Sequence, residues 1–422
     1  METIYKRQEY HNGIRLITEK IPHFRSVSIG LWFGVGSVFE TSEENGLSHF
    51  IEHMLFKGTE TRTAKQIAEI MDSVGGQLNA FTAKECTCYY SKVIDDRLEL
   101  AVSLLADMVQ NSVFDPVEMN KEKGVIMEEI YMYEDSPEDL AHDLIAAAFF
   151  GDHPLAQPIL GTKESLEPIT RDHILNYMNE FYNPQNLVIA VAGNFDEGEL
   201  DSFINKYFGG WDKKSKEKRS VQETQPHKQI LFRQKDIEQM HLCIGSPGVK
   251  MGNDDVYPLL VFNALFGGGM SSRLFQKVRE ERGLAYSIYS YPSIYKSGGL
   301  FNIYTSMKPN QLADVLSIIV GEIQNVKGHS IEKEEFQSAI EQVKGNYILG
   351  LESTSSRMTA IGRSELLMGK VLTPSEVLEK IDRVTIDDVY RITDIVFDPN
   401  RTSAALVGKE DMSDKVRALL EF

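Results

Sequence analysis

Apolar residues along the chain follow both the two-residue spacing of strands and the helical spacing of three to four residues. Two alternating stretches flank His11-Asn12-Gly13, a sequence typical of a hairpin turn. The predicted strands are 6–10, 14–20, 26–37 and 77–94, and the predicted helices are 63–74, 97–110 and a long run from about 117 to 149. This order predicts an α+β fold in which helices pack on one face of an antiparallel-rich sheet.

The same pattern occurs twice. Residues 166–194 and 381–409 share a helix, a Tyr-Asn-Pro or Phe-Asp-Pro stop and an apolar strand that ends in glycine, 215 positions apart. LFKG at 55–58 and LFGG at 265–268 lie 210 positions apart. We interpret the 422 residues as a duplication of one α+β plan. The predicted domains are an N-terminal half, 1–212, a polar linker, 213–228, and a homologous C-terminal half, 229–422.

Composition narrows the class of protein. The chain carries 62 acidic against 44 basic residues, a net charge of -18, which makes nucleic acid a poor partner. The longest apolar runs fall short of a membrane span, and the charged start METIYKRQEY lacks the apolar segment of a signal peptide. Three cysteines are present, and we expect them to be reduced, buried thiols. These features predict a cytoplasmic protein that binds neither nucleic acid nor membranes.

Residues 49–58, HFIEHMLFKG, place three titratable groups in an otherwise apolar helix. His49 and His53 lie one helical turn apart on the same face, so both imidazoles can reach one metal ion. Glu52 borders that face and is placed to take a proton from an attacking water. The order His-x-x-Glu-His inverts the commoner His-Glu-x-x-His and is a known zinc-protease signature. The alternative, two surface histidines that stack by chance, is disfavoured because the neighbouring apolar residues predict a buried helix.

Two histidines do not complete a catalytic zinc site, which uses three protein ligands. Glu122 and Glu129 lie seven residues apart in the long helical run, nearly two turns, and therefore share a face. Helical spacing alone leaves Glu122, Glu128 and Glu129 open as the third ligand.

Five segments spread over the chain carry a resemblance to a known family. They are HFIEHMLFKGTETRT (49–63), GGQLNAFTAKECTCYY (75–90), EKGVIMEEI (122–130), YNPQNLVIAVAGN (182–194) and REERGLAYSIYS (279–290). Together they resemble the pitrilysin family of zinc peptidases, and in particular its bacterial-type branch that is similar to the mitochondrial processing peptidase. The resemblance implies two similar α+β halves that face each other as a clamshell.

The resemblance also implies one Zn²⁺ per chain. In the family the third ligand follows the second histidine by some 75 residues, and 75 residues separate His53 from Glu129. Glu122 then matches an acidic residue that supports a histidine ligand without binding the metal. In the second half, Leu259, Phe262 and Asn263 stand where the first half has its His-x-x-Glu-His motif, and this set cannot bind zinc.

Substrate contacts are implied by further matches. Arg279 and Tyr286 match a family pair that reaches the substrate near the scissile bond, where a guanidinium or hydroxyl stabilises an oxyanion. LNAFT at 78–82 matches a substrate-binding edge strand, with Asn79, Ala80 and Phe81 as its contacts. Asp139 and Asp143 stand where processing peptidases read a basic substrate residue; a solvated acidic face is the alternative.

The expected function is therefore zinc-dependent endopeptidase activity on unfolded peptides or small polypeptides in an enclosed chamber, with Glu52 as general base. A homodimer is the expectation from the family. Two alternatives stay open: a catalytic subunit that needs a distinct partner without ligands, and a non-catalytic scaffold.

Overall fold

A computed structural model describes residues 5–213 and 219–420 of the chain. The eleven strands of this part are β1 Tyr5–Glu9, β2 Arg15–Lys20, β3 Ser26–Phe33, β4 Gln77–Thr82, β5 Thr87–Ile94, β6 Leu187–Gly193, β7 Ile230–Gln234, β8 Met240–Pro247, β9 Ala285–Ile294, β10 Gly299–Met307 and β11 Ser403–Gly408. The fifteen α-helices of the same part are α1 Leu47–Leu55, α2 Ala64–Asp72, α3 Leu98–Asn111, α4 Pro116–Asp135, α5 Pro137–Phe150, α6 Lys163–Leu166, α7 Arg171–Phe181, α8 Glu197–Phe208, α9 Val256–Phe266, α10 Leu312–Lys327, α11 Lys333–Gly350, α12 Thr354–Met368, α13 Pro374–Asp382, α14 Ile386–Val396 and α15 Ser413–Leu419. A π-helical turn spans Phe275–Glu280.

The first sheet has six strands in the order β1-β2-β6-β3-β5-β4. The predicted hairpin is confirmed, because β1 and β2 pair antiparallel around a turn in which Gly13 has a φ of 93°. Only β2 and β6 pair in parallel, and the remaining neighbours are antiparallel. The predicted strand over 77–94 is a second hairpin, in which β4 forms the outer edge of the sheet.

The second sheet repeats this topology with five strands in the order β7-β11-β8-β10-β9. Its strand pairs have the same directions as those of the first sheet without β1, including one parallel pair, β7 with β11. The predicted duplication and the α+β fold class are thereby confirmed. The long helical run ends early, since Ser136 and Pro137 start a new helix, α5, after α4.

The chain forms two compact units, which do not follow chain order. Unit 1 comprises the residues up to Ile130, with Pro158–Ser220 and Ile348–Pro374; unit 2 comprises Tyr131–Gln157, Val221–Tyr347 and the residues from Ser375 on. Each half therefore gives one helical segment to the other unit. The predicted boundaries at 212 and 229 stay a prediction, and residues 214–218 of the predicted linker lie outside the described residues.

The exchanged segment of unit 1 is helix α12, which covers one face of the first sheet. Trp32 Nε1 donates a hydrogen bond to Met358 Sδ at 3.4 Å, and Arg7 Nε donates to the buried Glu365 carboxylate at 2.9 Å. The opposite face of the sheet packs on α1 and α3 around residues such as Ile29 and Leu31. Helices thus lie on both faces, whereas the sequence pattern predicted them on one.

The exchanged segment of unit 2 is helix α5, which covers the second sheet in the same way. Its small residues Ala141 and Ala148 pack with Ile145 against Cys243 and Ala405 of the sheet. The exchange lets each sheet bury its second face under a helix from the other half of the chain.

Substituting Gly362 by Ala is expected to destabilise unit 1. A Cβ on Gly362 would lie 2.3 Å from Trp32 Nε1 and would therefore overlap with the indole ring. Such overpacking costs about 1–3 kcal/mol, which urea unfolding of the metal-free protein measures as a lower midpoint. Gly124→Ala is the matched control, because its Cβ meets nothing within 4 Å and helix propensity predicts a gain of up to about 1 kcal/mol. Equal midpoints for the two variants would contradict the tight contact.

Across the described residues, no helix has both the length and the apolar content needed to cross a membrane.

Candidate metal centre

Helix α1 is short and is held in place at its N-terminal end. It starts after Gly46, whose φ of 92° is in the left-handed region, and its apolar side is buried in the core of unit 1. The buried carboxylate of Glu40 caps the first turn: Gly46 N donates to Glu40 Oε2 at 2.8 Å and Ser48 N donates to Oε1 at 2.7 Å. Burial raises the pKa of Glu40, against the lowering effect of these donors. The helix that carries His49 and His53 is therefore fixed at its N-terminus by a side chain that comes from outside it.

Replacing Glu40 by Ala is expected to lower the free energy of unfolding by about 2–4 kcal/mol, because a helix cap is lost and two buried N–H groups lose their acceptor. Urea unfolding of the metal-free protein is the measurement. Glu43→Ala, at an exposed position three residues away, is the control. A midpoint unchanged from that control would show that Glu40 does not support α1.

Three side chains converge beside α1. Glu129 Oε2 of α4 lies 3.7 Å from His49 Nε2 and 3.6 Å from His53 Nε2. One ligand atom from each residue lies within 4.8 Å of the other two. Two donors that bind one tetrahedral zinc at ~2.0–2.1 Å are separated by roughly 3.4 Å, so this donor set fits zinc. Burial, and then the neighbouring His53, lowers the pKa of His49 to about 3, so that its imidazole is neutral at neutral pH and has a lone pair for a metal.

The three glutamates that the sequence left open have different environments. Glu128 is exposed. Glu122 is buried, and its Oε2 lies 3.1 Å from His53 Nδ1, the ring nitrogen that faces away from Glu129. Its other oxygen, Oε1, lies 2.6 Å from Lys57 Nζ. Among the three, Glu129 is the one whose carboxylate reaches the Nε2 atoms of both histidines.

Glu52 lies on the same side of α1 as the histidines. Thr82 Oγ1, at the end of β4, donates a hydrogen bond to Glu52 Oε2 at 2.5 Å. Burial raises the pKa of Glu52, and the Glu129 carboxylate adds to the rise, whereas the Thr82 hydrogen bond and His53 oppose it. A carboxylate with a raised pKa beside a metal site is a stronger base than a free one.

Strand β4 ends at Thr82, the residue that contacts the Glu52 carboxylate. Asn79 is exposed on the edge strand, and its Oδ1 accepts a hydrogen bond from Ala80 N at 2.8 Å. Phe81 lies on the same face of the strand as Asn79, and its ring packs edge-on against Trp32 at 5.5 Å, whereas Ala80 is buried on the opposite face. Of the three predicted contacts in this strand, Asn79 is therefore the one whose side chain is exposed.

The other predicted substrate residues belong to unit 2. Arg279 lies in the π-helical turn, with its guanidinium 4.7 Å from the ring centre of Phe275 and 4.8 Å from that of Tyr286. Tyr286 is 74% exposed. Asp139 is half-buried and Asp143 exposed on α5. The guanidinium and the phenol thus form one stacked pair within their unit.

Sequence comparison identifies the family to which the chain belongs. Residues 15–163 match the family described as insulinase (peptidase family M16), and residues 168–343 match the description peptidase M16 inactive domain. A protein of Bacillus subtilis named as the uncharacterized zinc protease YmxG is 46% identical over 384 residues, 91% of this chain and 93% of that protein. The chain belongs to peptidase family M16. An uncharacterized zinc protease of Streptomyces coelicolor is 39% identical over 96% of this chain and 89% of its own length.

Solved structures agree with an M16 fold. A protease from Helicobacter pylori matches with a TM-score of 0.88 at 19% identity, over 97% of this chain and all of that chain. A Pseudomonas fluorescens structure described as a peptidase M16 inactive domain matches with a TM-score of 0.87 at 18% identity, over 97% and 98% of the two chains. At these identities the likeness shows the fold alone.

In the second half, the positions that correspond to the His-x-x-Glu-His motif have the side chains expected of an M16 inactive domain. Leu259 and Phe262 of α9 are fully buried core residues, and Asn263 accepts a hydrogen bond from Ser290 Oγ at 2.8 Å. Within the described ranges, His49, His53 and Glu129 are the one group of three or more side chains with the spacing of a metal site.

Sequence reasoning did not single out three residues that support the site: Lys57, which contacts Glu122; Thr82, which contacts Glu52; and Glu40, which caps α1. The four-residue step from His53 to Lys57 is a usable signal, since it is one helical turn. Glu40 gives no such signal, because it precedes α1 by seven residues in a segment without periodic spacing.

Proposed function

We propose that this M16 chain is a zinc endopeptidase in which His49, His53 and Glu129 hold one Zn²⁺ and Glu52 is the general base. The observation that carries the proposal is the convergence of two Nε2 atoms and one carboxylate oxygen, with a second carboxylate, that of the partly buried Glu52, on the same helix. Three protein ligands with an adjacent carboxylate are the usual composition of a hydrolytic zinc site.

Each side chain has a defined task. His49 and His53 offer their Nε2 atoms, and Glu129 adds a carboxylate oxygen. Zinc, when bound there, acts as a Lewis acid that acidifies water and polarises a peptide carbonyl. Glu52 takes the proton of the attacking water on a carboxylate oxygen and passes it to the leaving amine. The hydrogen bond from Thr82 fixes the orientation of the Glu52 carboxylate before the substrate arrives.

An extended peptide is the substrate that suits β4. The outer edge of this strand can pair with a peptide through main-chain hydrogen bonds, which select an unfolded chain and tolerate many sequences. Asn79, Ala80 and Phe81 form this binding strand. Arg279 and Tyr286 supply the guanidinium and hydroxyl that anchor a substrate carbonyl or stabilise the oxyanion.

Asp139 and Asp143 give this function a preference for peptides with a basic residue near the cut. Cleavage profiling of a peptide library measures it: Asp139→Asn with Asp143→Asn should reduce the preference for arginine and lysine. A library profile without any basic preference in the unmodified protein would remove the two aspartates from the substrate site.

A homodimer that encloses a chamber is part of the proposal. The second candidate function is a catalytic subunit that needs a distinct partner without metal ligands. A non-catalytic scaffold is the third, and the retained ligand set argues against it.

One experiment separates the three. The purified single chain is depleted of metal, reloaded with zinc and incubated with a mixed pool of unfolded peptides, while size-exclusion chromatography gives its mass. Zinc-dependent cleavage by a dimer supports the proposal. Zinc binding without cleavage supports the partner-dependent subunit, and an absence of both zinc binding and cleavage supports the scaffold.

A further inference from the structure

The imidazole of His53 lies between two carboxylates. Its Nε2 faces Glu129 at 3.6 Å, and its Nδ1 faces Glu122 Oε2 at 3.1 Å. A neutral imidazole carries one proton, and only a proton on Nδ1 leaves the Nε2 lone pair free for a metal. The carboxylate of Glu122 selects that tautomer as long as Oε2 accepts from Nδ1.

The carboxylate of Glu122 occupies an unusual, buried position. Its side chain is 5% exposed, and it lies on a helix whose neighbouring buried residues are apolar. A buried carboxylate is stable only with partners for both oxygens. Oε2 has His53, and Oε1 has Lys57 Nζ at 2.6 Å, so that each oxygen has a different partner.

Lys57 comes from the same segment as the histidines. It lies four residues after His53, just past the last residue of α1, and its side chain is 30% exposed. Its backbone N donates to Met54 O at 3.1 Å, so the start of its side chain is fixed to the end of the helix. The Lys57 side chain therefore extends to Glu122 from a fixed backbone position. It binds Oε1, so that Oε2 is oriented toward His53 Nδ1.

We propose that Lys57 is a positioning residue for the metal site, which acts through Glu122 to orient His53. The inference rests on the proposed zinc site and adds a residue to it. In the described part of the chain, Lys57 contacts the Glu122 carboxylate, and that carboxylate contacts the ligand His53. Partners one step beyond a metal ligand typically change metal affinity by 10–100-fold, and we expect an effect on the order of 10-fold for Lys57.

The test measures zinc affinity directly, by competition between the metal-free protein and a chromophoric chelator. Lys57→Met should bind zinc about 10-fold more weakly than the unmodified protein, and Lys57→Arg should bind it nearly as well, because the cation is kept. Lys65→Met is the matched control: it removes the cation of an exposed ion pair with Glu69 in the same unit. Urea unfolding of each metal-free variant shows that the fold is intact, and Lys57→Gln replaces Lys57→Met if that variant does not fold.

A double variant separates positioning from a general effect on the fold. Because Lys57 acts through Glu122, Lys57→Met should change zinc affinity little in a Glu122→Gln background. An undiminished loss in that background, or an affinity of Lys57→Met equal to that of Lys65→Met, would overturn the role of Lys57 and leave the zinc site in place. An unmodified protein that binds no zinc would overturn the proposed function itself, and the role of Lys57 with it.

Discussion

Glu52→Gln is expected to keep zinc bound while peptide hydrolysis falls by about 10²–10⁴-fold, the usual contribution of a general base. The amide of glutamine is close in shape to the carboxyl group and can still pair with Thr82 Oγ1, which now donates to Glu52 Oε2 at 2.5 Å. It cannot accept the proton of an attacking water. Removing a buried carboxylate whose pKa is raised by burial also relieves a desolvation cost, so we expect no loss of stability.

Three measurements check this result together: hydrolysis of a peptide pool, zinc content per chain and the urea midpoint. Glu60→Gln, an exposed glutamate shortly after the motif helix, is the control for handling and purification. Turnover retained by Glu52→Gln at full zinc content would remove Glu52 from the chemistry. Turnover lost together with zinc would make Glu52 a residue that supports the metal site instead.

Much of the fold follows from spacing and turn chemistry. The Asn-Gly turn and the alternation around it predict the β1–β2 hairpin, and the repeated segments predict two copies of one sheet topology. The exchange of α5 and α12 was not predictable in this way. The apolar side of a helix shows that it packs on something apolar, and it does not show which of two similar sheets that is. Details such as Met358 beside Trp32 exist only in the folded unit.

The site shows the same limit at a smaller scale. The four-residue step from His49 to His53 places two imidazoles on one helical face, as the sequence predicted. The seven-residue step from Glu122 to Glu129 predicts a shared face and a separation of roughly 10 Å along the helix. It does not show which glutamate meets which ring nitrogen of His53. That assignment depends on how α4 crosses α1, which is a tertiary property. The family resemblance implied Glu129 as a ligand and Glu122 as a support, and it did not imply which ring nitrogen each one faces.

Glu129→Gln is expected to weaken zinc binding by more than about 100-fold, beyond the 10–100-fold typical of groups that only support a ligand. The substitution keeps the length of the side chain and removes the negative charge, and an amide oxygen is a much weaker zinc donor than a carboxylate. Hydrolysis should fall with zinc occupancy and recover only in part at high zinc. Chelator competition and activity across a zinc titration are the measurements.

The same Glu→Gln substitution at the two other glutamates, Glu122 and Glu128, tests which of the three carboxylates binds the metal. Glu128→Gln changes the adjacent, exposed residue of the same helix and should leave affinity and activity unchanged. Glu122→Gln should fall between the two, because Glu122 Oε2 contacts His53 Nδ1 and no Nε2 atom, so its loss weakens a ligand without removing one. An order in which Glu128→Gln costs the most would make Glu128 the third ligand. Equal losses for Glu122→Gln and Glu129→Gln would mean that the ion lies between the two carboxylates, and a site made of His49, His53 and Glu129 would then be wrong.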